Sequence, residues 1–290
     1  MRRKCALLAL LAALLLTGLA GRAARQDGRD TGGISFAVMG DTGSGDERQF
    51  ATARRMARQR EQTPYDFVLM LGDNIYNGGD PRLLKPRFEE PYRPLIDAGV
   101  KFYAVLGNHD VQKGTESQIN YPHFNMGGRR YYSFGKGGGL IDFFGLDTNL
   151  MTGEQLEWFE KGLKESKAPW KIVFCHHSLY TSARMHDTEV GLLARLEPLL
   201  TRYQVNVVFS GHSHVYERLK PQKGVHYITE GASGKLMKGN LDRRSPLTAA
   251  GNDQINSFLV VRVDEDEMKV RAIGSDGSLI DSATIKREQE

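Results

Sequence analysis

Thiols are nearly absent from this chain. It holds two cysteines in 290 residues, and Cys5 lies in an N-terminal apolar stretch, which leaves Cys175 alone in the remainder. A single thiol there excludes an internal disulfide, and the missing thiolate pattern argues against an iron–sulfur cluster or a copper(I) site. No Gly-x-Ser-x-Gly elbow occurs, so a serine nucleophile of that type is not presented, and a cysteine hydrolase would have Cys175 as its sole thiol. Internal repeats and low-complexity segments are missing too. Excess charge is scarce once the first residues are set aside. The formal net charge is +4, and Arg2, Arg3, Lys4 and Arg22 all precede the first acidic residue, so the rest of the chain is near neutral. Nonspecific nucleic-acid binding needs clustered cations that displace counterions, so no nucleic acid is expected as main partner. The basic run from Arg54 to Arg60 reads as the solvated face of a helix.

The apolar stretch from Cys5 to Ala20 follows Met1-Arg2-Arg3-Lys4, which is the pattern of a secretory signal peptide. It is shorter than the roughly 20 residues a bilayer-spanning helix needs, so stable membrane insertion is expected only if the leader stays uncleaved. Cleavage after Ala20 or Ala23 would release a secreted or periplasmic protein. The residues after Arg2-Arg3 fit a twin-arginine address poorly. The expected organisation is a signal peptide over residues 1–23, a flexible Gly/Arg-rich linker over 24–33 and a single domain over 34–290. With 40% hydrophobic and 9% aromatic residues, that domain can bury a substantial core.

From Ile34 onward, short β-rich apolar runs alternate with segments of helical period. Strands are expected at Ile34–Met39, Asp66–Leu71, Lys101–Leu106, Trp170–Cys175, Val205–Phe209 and Val225–Thr229. Helices are expected at Asp46–Gln62, with Phe50, Ala53 and Ala57 on one face, within Leu83–Ala98, at Glu154–Ser166 and at Glu189–Tyr203. Arg129–Phe134 and Leu140–Leu146 suggest a hairpin around Gly137-Gly138-Gly139, and three closing runs, Phe258–Val263, Met268–Ile273 and Leu279–Ile285, are separated by turn residues. A long polar loop follows Leu106 through about Gly128. The whole suggests a layered αββα arrangement.

Five apolar runs end directly in residues able to hold a metal: Gly40-Asp41, Gly72-Asp73-Asn74-Ile75-Tyr76, Gly107-Asn108-His109-Asp110, Cys175-His176-His177 and Gly211-His212-Ser213-His214. Open α/β sheets build sites beyond the carboxyl ends of their strands, so these clusters can converge on one edge. One such cluster alone is better read as a helix cap or a turn. Five together, taking up five of only eight histidines, are not explained that way. Mixed oxygen and nitrogen donors favour iron, zinc or manganese. Cys175 reads as strand packing.

These motifs, in this order over about Ile34 to His214, resemble the calcineurin-like metallophosphoesterases. The first motif of that superfamily commonly reads Asp-x-His, whereas Asp41-Thr42-Gly43 lacks the histidine. Tyr76 ends the second motif, where purple acid phosphatases carry an iron-binding tyrosine together with a first motif of Asp-x-Gly. Trp170–Tyr180, Arg129–Phe134 and the terminal hairpins resemble the small tartrate-resistant type. The resemblance implies an α/β fold, a four-layer αββα sandwich of two mixed β-sheets flanked by helices, forming a catalytic domain. It also implies a binuclear centre, with Asp41, Asp73, Tyr76 and His214 around Fe(III), and Asp73 bridging to Asn108, His176 and His212 around Fe(II), Zn(II) or Mn(II). His177 is not implied as a ligand. His109 matches a histidine that contacts substrate phosphate and protonates the leaving group, and His186 falls close to a second substrate-contacting histidine. The implied activity is that of a secreted acid phosphatase, hydrolysing small phosphate monoesters by in-line attack of a metal-bound hydroxide. A phosphodiesterase of the same fold, acting on cyclic nucleotides or lipid head groups, would use the same ligands. A non-catalytic protein that keeps them as a scaffold is a further alternative. Specificity is expected in the loops 112–128, 181–188 and 235–252.

Overall fold

Runs of β-branched and aromatic residues pair into two sheets, and the amphipathic segments between them cover the outer faces, in the computed structural model, which describes residues 33–287. The expected signal peptide, and the expected linker apart from Gly33, lie outside the described residues.

In the first sheet, β1 (Ile34–Met39), β2 (Phe67–Met70) and β3 (Lys101–Ala104) run parallel. Helix α1 (Glu47–Gln62) connects β1 to β2 and helix α2 (Glu90–Asp97) connects β2 to β3. A short helix α3 (Thr115–Ile119) follows. The second sheet is built from β4 (Tyr132–Lys136), β5 (Ile141–Gly145), β6 (Trp170–Phe174), β7 (Val207–Ser210), β8 (Tyr216–Leu219), β9 (His226–Glu230) and β10 (Thr248–Asn252). Helices α4 (Gly153–Glu165) and α5 (Val190–Arg202) join β5 to β6 and β6 to β7. The chain then returns to the first sheet through β11 (Ser257–Val263), β12 (Glu267–Gly274) and β13 (Leu279–Lys286), with β11 antiparallel to β1. The orders are β13-β12-β11-β1-β2-β3 and β10-β8-β9-β7-β6-β5-β4. Both sheets mix parallel and antiparallel pairs, so the four-layer α/β sandwich expected from the motifs is the fold observed.

Alternation along the strands builds the layers. Phe36 and Phe67 point inward from the first sheet, and Phe36 meets Phe143 and Phe209 of the second edge-on at 5.3 and 6.3 Å between ring centroids. The opposite face of the second sheet, with Phe144, Val173, Cys175 and Val208, packs beneath Phe159, Leu163, Leu196 and Leu200 of α4 and α5. Cys175 is fully buried there, and burial pushes its thiol up to about 12.

Three local expectations differ from the structure. The buried face of α1 is Gln49, Thr52, Ala53, Met56 and Gln59, while Phe50 and Ala57 are half-buried at its edge. Gln49 can turn inward because its amide is satisfied, accepting from Gly45 N at 2.7 Å and donating to Arg87 O at 2.6 Å. The polar segment after Leu106 forms α3 and short single turns instead of an open loop. Strands β8 and β10 had no counterpart in the sequence pattern, because β10, Thr248–Asn252, carries alanine and glycine and is held only by its pairing to β8. The described residues form one compact unit, and no helix among them is long and apolar enough to cross a membrane.

Candidate metal centre

The metal-binding side chains suggested by the sequence stand just past the carboxyl ends of five parallel strands. Asp41, Asp73 and Asn108 follow β1, β2 and β3, while His176 follows β6 and His212 and His214 follow β7. Bonds that cross between the sheets at this edge bring the two sets together: Asp41 Oδ2 accepts from His212 N at 2.7 Å, and Leu71 O accepts from His176 Nδ1 at 2.9 Å.

One group comprises Asp41, Asp73 and His214, whose donor atoms lie within 4.8 Å of one another. Tyr76 joins it, with its hydroxyl donating to Asp41 Oδ1 at 2.8 Å and standing 2.9 Å from His214 Nε2. The second group is His176, His212 and Asn108. His176 Nε2 lies 2.8 Å from Asn108 Oδ1 and 3.1 Å from His212 Nδ1. Asp73 Oδ1 is 3.6 Å from His176 Nε2, so Asp73 stands between the two groups. The expected ligands Asp41, Asp73, Tyr76, Asn108, His176, His212 and His214 are therefore all brought together. His177, left out of the expected set, also reaches the second group, while its Nδ1 is tied to Thr148 Oγ1 at 2.8 Å.

Backbone strain concentrates here. Asp41, Asp73, His212 and His214 all adopt left-handed φ values, between 50° and 69°. For a non-glycine residue this costs about 1–3 kcal/mol each, and such strain persists where surrounding contacts hold it in place, commonly at functional sites. Of the glycines that precede the clusters, Gly72 itself needs a positive φ, of 88°. Gly107 and Gly211 are required for space, since a Cβ would fall 2.2 Å from Asp73 N and 2.6 Å from Asp41 Oδ2.

The electrostatics of the bare side chains call for cations. Burial, and then the charges of Asp41 and Asp110, push the Asp73 carboxyl up to about 9. Burial and the same kind of repulsion from Asp41 and Asp73 drive the Tyr76 hydroxyl well above its ordinary value. Burial holds His176 well below the usual imidazole range, and burial with the neighbouring His176 and His177 brings His212 down to about 2. His176 is thus neutral, and its proton must sit on Nδ1, because the Leu71 carbonyl can only accept. Its Nε2 then presents a lone pair to the Asn108 carbonyl oxygen, acceptor against acceptor, and a cation between them removes that conflict. These residues fit a metal pair.

The two expected catalytic histidines lie at the rim. His109 is half-exposed, donates from its backbone N to Asp73 Oδ1 at 3.0 Å, and packs its ring 4.9 Å from that of Tyr76. His186 is exposed, left-handed at φ 60°, with its ring 4.3 Å from that of His212. Both imidazoles are lowered chiefly by burial.

Several residues to which the sequence pattern gave no role support the site. Asp110 is fully buried and accepts from Gly107 N, Asn74 N and Ile75 N, joining the second and third motifs; its place inside Gly107–Asp110 was the available signal. Asn240 bonds Met185 N at 2.8 Å and Ser213 O at 2.8 Å, holding the His186 loop to the His212–His214 turn. Lys235 donates from its backbone N to Asp41 O, and its ammonium lies 4.8 Å from the Tyr76 ring centroid, a cation–π contact. No periodicity marks Asn240 or Lys235.

Comparison with known proteins agrees with this geometry. A family model for calcineurin-like phosphoesterase matches residues 34–216. The chain is 27% identical to purple acid phosphatase 7 of Arabidopsis thaliana over 248 residues, covering 75% of each chain. It is 26% identical to tartrate-resistant acid phosphatase type 5 of Homo sapiens over 323 residues, covering 97% of each. The purple acid phosphatase PPD1 from yellow lupin seeds superposes with a TM-score of 0.74 at 21% identity, over 88% of this chain and 54% of that one. At that identity the superposition concerns the fold. The family implies a binuclear metal centre acting on small phosphate esters. Since the matched segment takes in β1 through the His212–His214 turn, and with it every strand end that carries a candidate ligand, the chain belongs to the calcineurin-like phosphoesterase family.

Proposed function

We propose that this chain is a binuclear-metal acid phosphatase that hydrolyses small phosphate monoesters and is exported through the leader at residues 1–23. The observation that supports this reading most is the convergence of Asp41, Tyr76 and His214 beside Asn108, His176 and His212, with Asp73 between them. The two donor sets differ in kind. Aspartate and tyrosinate are hard anions suited to Fe(III), whereas a neutral amide with two imidazoles suits Fe(II), Zn(II) or Mn(II). When bound, such a pair supplies Lewis acidity toward the phosphate and lowers the pKa of a water, providing the nucleophile. Asp73 would be shared by both ions. His176 is oriented by its Nδ1 bond to Leu71, which keeps Nε2 free of a proton. His109 and His186, at the open rim, would hydrogen-bond phosphate oxygens and hold the proton that the departing alkoxide takes up; their positions beside Asp73 and His212 support this.

Elemental analysis of purified protein, with hydrolysis of p-nitrophenyl phosphate and bis(p-nitrophenyl) phosphate before and after chelation, tests this directly. About two metal ions per chain, iron among them, and chelator-sensitive monoester turnover are expected. Chelator-resistant hydrolysis, or a strong diester preference, would overturn the proposal.

A further inference from the structure

The first part of the loop after β9, Ser233 to Met237, is tied by backbone bonds to the segments that carry the candidate ligands. Ser233 N donates to Gly40 O at 3.2 Å, Lys235 N to Asp41 O at 2.9 Å and Met237 N to His214 O at 3.0 Å. A Cβ on Gly234 would fall 2.2 Å from Thr42 O, so the chain there passes in direct contact with the first motif. The origin of the Lys235 side chain is therefore fixed relative to Asp41 and His214. Its ammonium rests 4.8 Å from the centroid of the Tyr76 ring, the same ring that His109 packs against, and Lys235 is half-buried. Among the described residues it forms no ion pair. The carboxylate of Asp41, whose carbonyl oxygen accepts from Lys235 N, is already engaged, through Oδ1 with Tyr76 and through Oδ2 with His212 N. An ammonium on a flexible four-carbon stem, resting on an aromatic ring beside His109, can leave that ring for a stronger anionic partner.

We propose that Lys235 is a substrate-binding residue whose ammonium pairs with the second negative charge of a phosphate monoester, and so sets the preference for monoesters over diesters. This rests on the reading of the site as a phosphatase. The chemistry separates the two substrate classes. Near pH 7 a monoester, with a second pKa of about 6, is a dianion with three terminal oxygens, and a diester is a monoanion with two. Metal ions in the centre would serve either substrate. A further cation at the rim rewards only the extra charge and the extra oxygen.

The test uses metal-loaded full-length protein at pH 7, as wild type, Lys235→Gln, Lys235→Arg and, as a control on the same loop, the exposed Lys238→Gln. Binding of inorganic phosphate is measured by calorimetry, alongside metal content and kcat/KM for p-nitrophenyl phosphate and its bis ester. In Lys235→Gln, phosphate should bind about tenfold more weakly, a change of about 1.4 kcal/mol. Monoester kcat/KM should fall about tenfold further than that of the diester. Lys235→Arg should recover most of both, and Lys238→Gln should match wild type. Unchanged phosphate affinity in fully metallated Lys235→Gln, equal losses for the two esters, or loss of metal in Lys235→Gln would each overturn the assignment. A wild type that binds phosphate but turns over neither ester would sink the phosphatase reading, while the phosphate titration would still decide Lys235.

Discussion

Tyr76 and Asp73 are the side chains whose chemistry is most specific to this site. The Tyr76 hydroxyl is buried against Asp41 and His214, and a phenolate holding Fe(III) there would give a visible charge-transfer band. Iron-loaded wild type should be purple or pink, and Tyr76→Phe should lose the colour; visible absorption spectra of the two proteins check this. Asp73 stands between both donor groups, so Asp73→Ala should abolish hydrolysis and lower metal content at both positions, read by elemental analysis and turnover together. His109 meets the centre through its backbone N, through its ring beside Tyr76, and through Nε2 at 4.0 Å from Asp73 Oδ2, and it is outside the candidate ligand set. His109→Ala should keep full metal content and slow kcat by roughly 10²–10⁴-fold, the usual contribution of a general acid.

Strand-end turns and one clamped loop position these side chains. Gly72 has φ 88°, and a Cβ there would fall 2.7 Å from His176 Nδ1 and 2.8 Å from Gly107 N. Gly72→Ala therefore combines left-handed strain, about 1–2 kcal/mol, with displacement of His176. Thermal melts with metal analysis should show a lower Tm and partial loss of metal. The His186 loop depends on buried polar anchors, with Glu217 accepting from Thr181 Oγ1 and Ser182 N, and Asn240 bonding Met185 N and Ser213 O. Asn240→Ala removes the second anchor. Faster amide hydrogen exchange confined to residues 183–188 is the expected result, because the first anchor and the sheet remain.

At the scale of the whole molecule, the centre is a source of instability without its ions. Burial raises Asp73 to about 9 and Glu230 to about 8. Each keeps a proton in the fold that the unfolded chain gives up near pH 4, so its contribution to stability is complete below that pH and is lost as pH rises through 8 to 9. His176 and His212 act in the opposite sense, but above pH 7 they are neutral in both folded and unfolded chains. Metal-free protein should therefore lose stability from pH 7 to pH 9. Calorimetric melts should show metal raising Tm more at pH 9 than at pH 7, since ions that bind the ionised Asp73 carboxylate stabilise the fold by mass action.

The two-sheet sandwich was legible in the chain because strands and helices announce themselves through periods of two and 3.6, and those periods were clear from β1 to β7 and again from β11 to β13. The candidate ligands were legible because each follows an apolar run directly, so strand ends and metal-binding residues coincide in sequence. Strands β8 and β10, and the supporting residues Asn240, Lys235 and Thr148, were not legible. Their roles arise from contacts between segments distant in the chain, and nothing local distinguishes a lysine on a loop from one resting on Tyr76. Residue type and spacing, by themselves, determined which atoms could bind a cation. Only the tertiary structure decided that they share one edge, because bringing β1 and β7 together relies on pairing and packing across more than half the chain.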